Sequence, residues 1–149
     1  MAEKILEVKN VVYSFHTYGG VVKAVRDVSF DLYQGEVLGI VGESGCGKSV
    51  TAQCIMRLNP EPPGFFSGGE ILFKGKDVCK MTEKELMEMR VTEIGFIFQD
   101  PVASLNPLMR IAPQIEEPLL LHTHMDKKER REAALQAIRD VDLPEPEVT

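Results

Sequence analysis

Glu36-Val37-Leu38-Gly39-Ile40-Val41-Gly42-Glu43-Ser44-Gly45-Cys46-Gly47-Lys48-Ser49 is the stretch on which the reading of this chain turns. Its first six residues form a β run that its apolar composition predicts to be buried on both faces. Glycines at 42, 45 and 47 then break the run, and a helical stretch is expected from Lys48 to about Leu58. A strand, a glycine-rich turn and a helix in that order make an anion site. The glycines permit φ > 0 and let the backbone approach a ligand without a Cβ in the way. The loop amides can then turn inward, reinforced by the positive end of the helix behind them.

Residues 42–49 fit G-x-x-x-x-G-K-[ST], the phosphate-binding P-loop, at every fixed position. In that pattern Lys48 neutralises the β- and γ-phosphates of a nucleoside triphosphate and the Ser49 hydroxyl ligates Mg²⁺. The expected cofactors are therefore ATP and Mg²⁺. Cys46 sits at a variable position of the pattern, beside Lys48 and near a helix N-terminus, where a thiol pKa can fall. Substitution for a small residue is the plainer account of it.

The surroundings give a single domain's worth of chain, 149 residues at 44% hydrophobic, enough for a core. The 17 basic and 23 acidic residues leave a net charge of −6, so no basic excess is available for nucleic acid. No apolar run is long enough to cross a bilayer. Cys46, Cys54 and Cys79 form no C-x-x-C pair and are expected to be reduced thiols of a cytoplasmic protein.

Upstream, residues 5–15 and 21–29 read as strands about a Tyr18-Gly19-Gly20 turn, and Phe30-Asp31-Leu32-Tyr33 alternates. Downstream, Asn59-Pro60-Glu61-Pro62-Pro63-Gly64 stops the helix, and residues 69–77 read as a strand with a glycine turn. Thr82-Glu83-Lys84-Glu85 is a capping box opening a helix to about Arg90, and residues 94–98 read as a second buried strand. Asp126-Lys127-Lys128-Glu129 is a second cap. Ala133, Ala134, Ala137, Ile138 and Val141 then share one helix face, which Leu143-Pro144-Glu145-Pro146 ends.

P-loops serve many functions, and the residues around this one narrow the choice. The run from Gln34 to Ser49 closely resembles the nucleotide-binding subunit of ABC transporters. Gly95-Phe96-Ile97-Phe98-Gln99-Asp100-Pro101, followed by Ser104-Leu105-Asn106-Pro107, resembles the Q-loop of the dipeptide/oligopeptide (peptide/nickel) importer branch. Val-Gly-Glu-Ser-Gly with Ser49-Val50 after the lysine resembles the same branch, and the likeness runs from Ile5 to Pro146.

The resemblance implies an α/β fold: a P-loop NTPase core of the ABC ATPase type, an antiparallel β subdomain and the beginning of a helical subdomain. The expected division is residues 1–98 for the core with its β subdomain and 99–149 for the Q-loop and helical start. It also implies nucleotide contacts at Gly42, Glu43, Ser44, Gly45, Cys46, Gly47, Lys48, Ser49 and Val50. Lys48 and Gln99 would act in catalysis, with Ser49 and Gln99 as Mg²⁺ ligands. Phe15 aligns with the aromatic that stacks on adenine, with Tyr13 and Tyr18 as rivals and Val22 or Val25 at the base edge. The implied partners are a second ATPase subunit and transmembrane permease subunits reached through the Q-loop and helical region. They would hold the chain peripherally on the inner face of the cell membrane.

In the family, the signature motif, the Walker B acid with its catalytic glutamate and the switch histidine lie downstream of the Q-loop. No such residues are expected within this chain, so turnover by it alone is expected to stay at background. Phe66-Ser67-Gly68-Gly69-Glu70 imitates the signature but lies upstream of Gln99 and is read as a loop entering a strand. Two other readings stay open. One is a small P-loop kinase using Asp100 as its metal acid, with Arg130 and Arg131 as the candidate lid, and the other is a non-catalytic nucleotide-binding fragment. His122 and His124 have no metal-pair spacing and read as helix-terminal solvent contacts, and the 127–131 charges read as a solvated helix face.

Overall fold

The computed structural model describes residues 3–100 and 104–143. The elements are β1 (Lys4–Thr17), β2 (Gly20–Tyr33), α1 (Lys48–Ile55), β3 (Gly64–Phe73), β4 (Lys76–Asp77), α2 (Glu83–Thr92), α3 (Ile111–His122) and α4 (Lys127–Asp140). A 3₁₀ turn at Val78–Lys80 joins β4 to α2. The chain divides into two compact units, Met1–Thr92 and Glu93–Thr149, each described by itself below.

In the first unit the strands form one antiparallel sheet in the order β2-β1-β3-β4. The central β1 is paired on both sides, opposite β2 from Lys4↔Tyr33 to Thr17↔Gly20 and opposite β3 from Leu6↔Phe73 to Phe15↔Gly64. The two upstream β runs and the alternating residues 30–33 thus merge into one hairpin. Leu6, Val8, Val11, Tyr13, Val25, Ile71 and Phe73 are the buried apolar side chains of this sheet, and Ser14 is buried beside them. Cys54, Met56, Leu86 and Met89, from α1, its end and α2, are buried as well. Residues 66–70, read from the sequence as a loop, lie within β3 itself, with Lys9↔Glu70 and Tyr13↔Phe66 in register with β1. Pairing along a complete neighbouring strand overrides the glycines there.

Helix α1 ends at Ile55, three residues short of the expected Leu58. Its end is closed by tertiary bonds: Arg57 is left-handed at φ 47, and Arg90 of α2 donates to the carbonyls of Met56 (2.9 Å) and Arg57 (2.7 Å). The Thr82 capping box is present, Glu85 accepting from the Thr82 amide at 2.9 Å and hydroxyl at 2.8 Å, and α2 runs two residues past Arg90. These bonds hold the Glu85 carboxyl below the ordinary carboxylate range.

The expected buried strand at 36–41 is not formed. These residues pair with no strand among the described residues, and Val37 and Val41 are each 96% exposed. A strand is made by its neighbours, because an extended backbone alone leaves its amides and carbonyls to water.

In the second unit the strand expected at 94–98 is likewise absent, and Ile97 is 92% exposed. Helices α3 and α4 pack together, with Arg131 3.6 Å from Glu116. The second capping box is complete: Asp126 accepts from the Lys128 (2.7 Å) and Glu129 (2.9 Å) amides while Glu129 accepts from the Asp126 amide at 2.7 Å. On the predicted face of α4 only Ala134 and Ile138 are buried; Ala137 and Val141 face solvent, because α3 covers a narrower stripe than the apolar pattern offered. Pro101 of the Q-loop and the Pro144-Glu145-Pro146 stop lie outside the described residues.

Candidate functional site

The glycine-rich turn joins β2's outgoing chain to α1. Gly45 and Gly47 adopt φ of 78° and 99°, and Gly47 is the left-handed residue from which α1 starts. A Cβ at Gly47 would run into the backbone carbonyl of Ala24 in β2, so glycine is required there on two counts. Gly42 departs from the expectation: its φ is not positive, and its role is close approach, since a Cβ would stand 2.7 Å from Cys46 Sγ.

The first turn of α1 has no side-chain cap and no acidic residue. Its amides and the positive end of its dipole are therefore left for an external anion. Lys48 Nζ donates to the carbonyls of Gly42 and Glu43, both at 2.7 Å, and lies 3.7 Å from Cys46 Sγ. This folds the lysine back along the loop with its ammonium at the mouth of the turn. Glu43, Ser44 and Ser49 are exposed on the same turn, Val50 is half-buried, and Thr51 fastens the helix start by donating its hydroxyl to the Gly47 carbonyl at 2.9 Å. A cavity of about 360 Å³ opens beside the loop, with Val28, Phe30, Leu38, Ile40, Lys48 and Thr51 among its lining.

The aromatic candidates separate cleanly. Tyr13 is fully buried, its ring edge-on to Phe66 at 4.9 Å, so it is not an external stacking surface. Burial holds its hydroxyl well above the usual phenol range. Tyr18 stands fully exposed at the hairpin turn. Phe15 is half-buried, edge-on to Tyr13 at 5.3 Å, and pairs across the hairpin with the exposed Val22. Val25 belongs to the core and cannot meet a base edge. The hairpin that carries Phe15 meets the loop at Ala24: Tyr13 pairs with Val25, and the carbonyl of the preceding Ala24 abuts Gly47.

Gln99 and Asp100 are exposed in the second unit, Gln99 at a bend. With no strand at 94–98, Asp100 does not stand at a strand end, the position the kinase reading requires. The three cysteines are free thiols, and burial pushes Cys54 up to about 12. His122 closes α3, exposed, and His124 is exposed in the loop behind it. No group of metal-binding side chains occurs among the described residues, and none of their helices is long and apolar enough to cross a membrane.

Sequence reasoning missed a polar network at the far end of α1. Tyr13 donates to Glu61 (3.3 Å), and Glu61 is ion-paired to Arg57 (3.1 Å), which also donates to the Met81 carbonyl at 3.4 Å. The i, i+4 spacing of Arg57 and Glu61 was the one local signal; the tyrosine's part in it depends on sheet packing.

Comparison with known proteins places these features. The family model described as ABC transporter matches residues 25–149. The oligopeptide transport ATP-binding protein OppD of Bacillus subtilis is 52% identical over 97% of this chain, and the dipeptide transport ATP-binding protein DppD of the same organism is 51% identical over 97%. The chain spans 40% and 43% of the length of these two relatives. A dimeric ATP-binding cassette solved in a post-hydrolysis state bound to ADP and Pi superposes with a TM-score of 0.81 at 28% identity, covering 95% of this chain and 59% of that one. The fold is accordingly the α/β P-loop NTPase fold of ABC cassettes, here its β subdomain, P-loop helix and first helices. With the cradle at 42–49 and the match from Val25 onward in agreement, this chain belongs to the ABC transporter family.

Proposed function

We propose that this chain is the ATP-binding portion of an ATPase subunit that drives import of peptides or a related small solute. One observation carries the binding half of that reading. The first turn of α1 presents uncapped amides behind a left-handed Gly47, with the Lys48 ammonium held over the Gly42 and Glu43 carbonyls at 2.7 Å. That donor set suits a triphosphate, because it offers backbone amides and a cation, with no acidic residue in the first turn of the helix. Lys48 would leave the two carbonyls for the β- and γ-oxygens, and Ser49, exposed at the same turn, would ligate Mg²⁺. The metal, when bound, neutralises charge between the β- and γ-phosphates. Phe15 would stack on adenine, with Val22 at the base edge.

The likeness to peptide-transport ATP-binding proteins supports the solute class, and the dimeric cassette supports pairing with a second ATPase subunit. Permease subunits would be reached through Gln99 and the α3–α4 region, placing the chain peripherally on the cytoplasmic face of the membrane. Calorimetric titration with Mg-ATP tests the binding half. Binding is expected, weakened at least about tenfold in Lys48→Ala, a loss of about 1.4 kcal/mol. No binding by the parent chain, or equal binding by the variant, would overturn it. Disruption of the gene should also abolish uptake of labelled oligopeptide into cells.

A further inference from the structure

We infer that Tyr13 is a positioning residue for the base platform: it sets where the Phe15 ring stands relative to the phosphate cradle. The inference rests on the reading of Phe15 as the adenine-stacking residue. Tyr13 and Phe15 share one face of β1, and their rings meet edge-on at 5.3 Å and 74°, a favourable aromatic geometry. Phe15 is half-buried, and among the described residues this is the one aromatic ring against it. Tyr13, by contrast, is held from every side. Phe66 of β3 meets its ring at 4.9 Å and 85°. Gly64 packs so closely on it that a Cβ there would stand 2.8 Å from the ring carbons and closer still to the hydroxyl.

The hydroxyl end gives the second anchor. Tyr13 Oη donates to Glu61, and Glu61 is paired with Arg57, immediately past the end of the P-loop helix. Arg57 in turn donates to the Met81 carbonyl and accepts through its own carbonyl from Arg90. The start of the same helix touches the same hairpin, where Gly47 lies against the Ala24 carbonyl beside Val25, the cross-strand partner of Tyr13. Tyr13 is therefore tied to the far end of the helix that carries the cradle and paired with the strand that meets its start, and its ring passes that position on to Phe15. A platform set in advance in this way loses less freedom when a base stacks on it.

The test compares Mg-ATP with Mg-tripolyphosphate, which has the phosphates without the base, by calorimetry on the chain. The parent is expected to prefer ATP, and Phe15→Leu to reduce that preference about five- to tenfold, the lower part of the range for stacking a base on an aromatic side chain. Tyr13→Leu should reproduce this loss with tripolyphosphate affinity unchanged, and the double variant should lose nothing more. Tyr13→Phe and Glu61→Gln keep the ring while weakening the anchor. They should each cost about twofold in base preference alone, a smaller effect of the kind one hydrogen bond gives. Far-UV circular dichroism shows which variants fold, and these two decide the matter if Tyr13→Leu does not. Full base preference in the folded Tyr13 variants, or an equal loss for both ligands, overturns the positioning role while leaving Phe15 in place. A parent chain with no preference for ATP, or Phe15→Leu with undiminished preference, overturns the reading of Phe15 and the inference built on it.

Discussion

Val8 and Val11 in β1 are sealed from solvent, whereas Val37 and Val41 are each 96% exposed, although all four are the same residue type in an apolar, β-prone run. The difference lies in what stands beside them. β1 has β2 on one side and β3 on the other, so its backbone groups are paired and its apolar face is covered. Residues 36–41 have no strand alongside them among the described residues. β propensity measures how well a side chain fits a pleated, half-buried surface, and it gives nothing where that surface is missing. The same contrast separates the two ends of the P-loop segment. Its helix is secured by bonds within its own turns and to its neighbours, while the extended residues 36–41 leading into it are not.

The sharpest way to break this comparison is to empty the sheet core. Ile71→Ala, at a 1% exposed position of β3, should cost about 2–5 kcal/mol in denaturant unfolding. A cost below 1 kcal/mol would mean that the sheet core is no better packed than residues 36–41. Next comes the loop between the two regions. Gly47→Ala must place a side chain at φ 99° and against the Ala24 carbonyl, so a loss of about 1–3 kcal/mol is expected together with weakened ATP binding in the same titration. Wild-type stability and binding would show that the turn relaxes freely. The smallest effect is expected from Val37→Ala and Val41→Ala, which should each stay within about 0.5 kcal/mol of the parent chain. A large destabilisation there would show that residues 36–41 are covered in solution after all.

How much of the chain was legible in advance follows the range of the interactions. Both capping boxes were readable because an Asp or Thr and a Glu three residues on satisfy each other within one turn. The glycine-rich turn was readable for a similar reason, since its lysine meets a carbonyl only six residues away. The candidate aromatics were legible only as a set: Tyr13, Phe15 and Tyr18 sit within six residues. Burial under Phe66, Gly64 and Glu61 separated Tyr13 from Phe15, and those contacts cross some fifty positions of chain. Residues 66–70 were misread for the mirror reason, their glycines weighing more than a pairing with β1 that no local rule could see.

By itself, then, the sequence determined the glycine-rich turn at 42–49, the helix caps and the family, because each is written in contiguous residues whose backbone and side chains meet locally. Tertiary structure alone decided which apolar runs became strands, and which valines and aromatics went inside. Those outcomes depend on partners far away in the chain, and an extended segment is stabilised by the strand that arrives beside it.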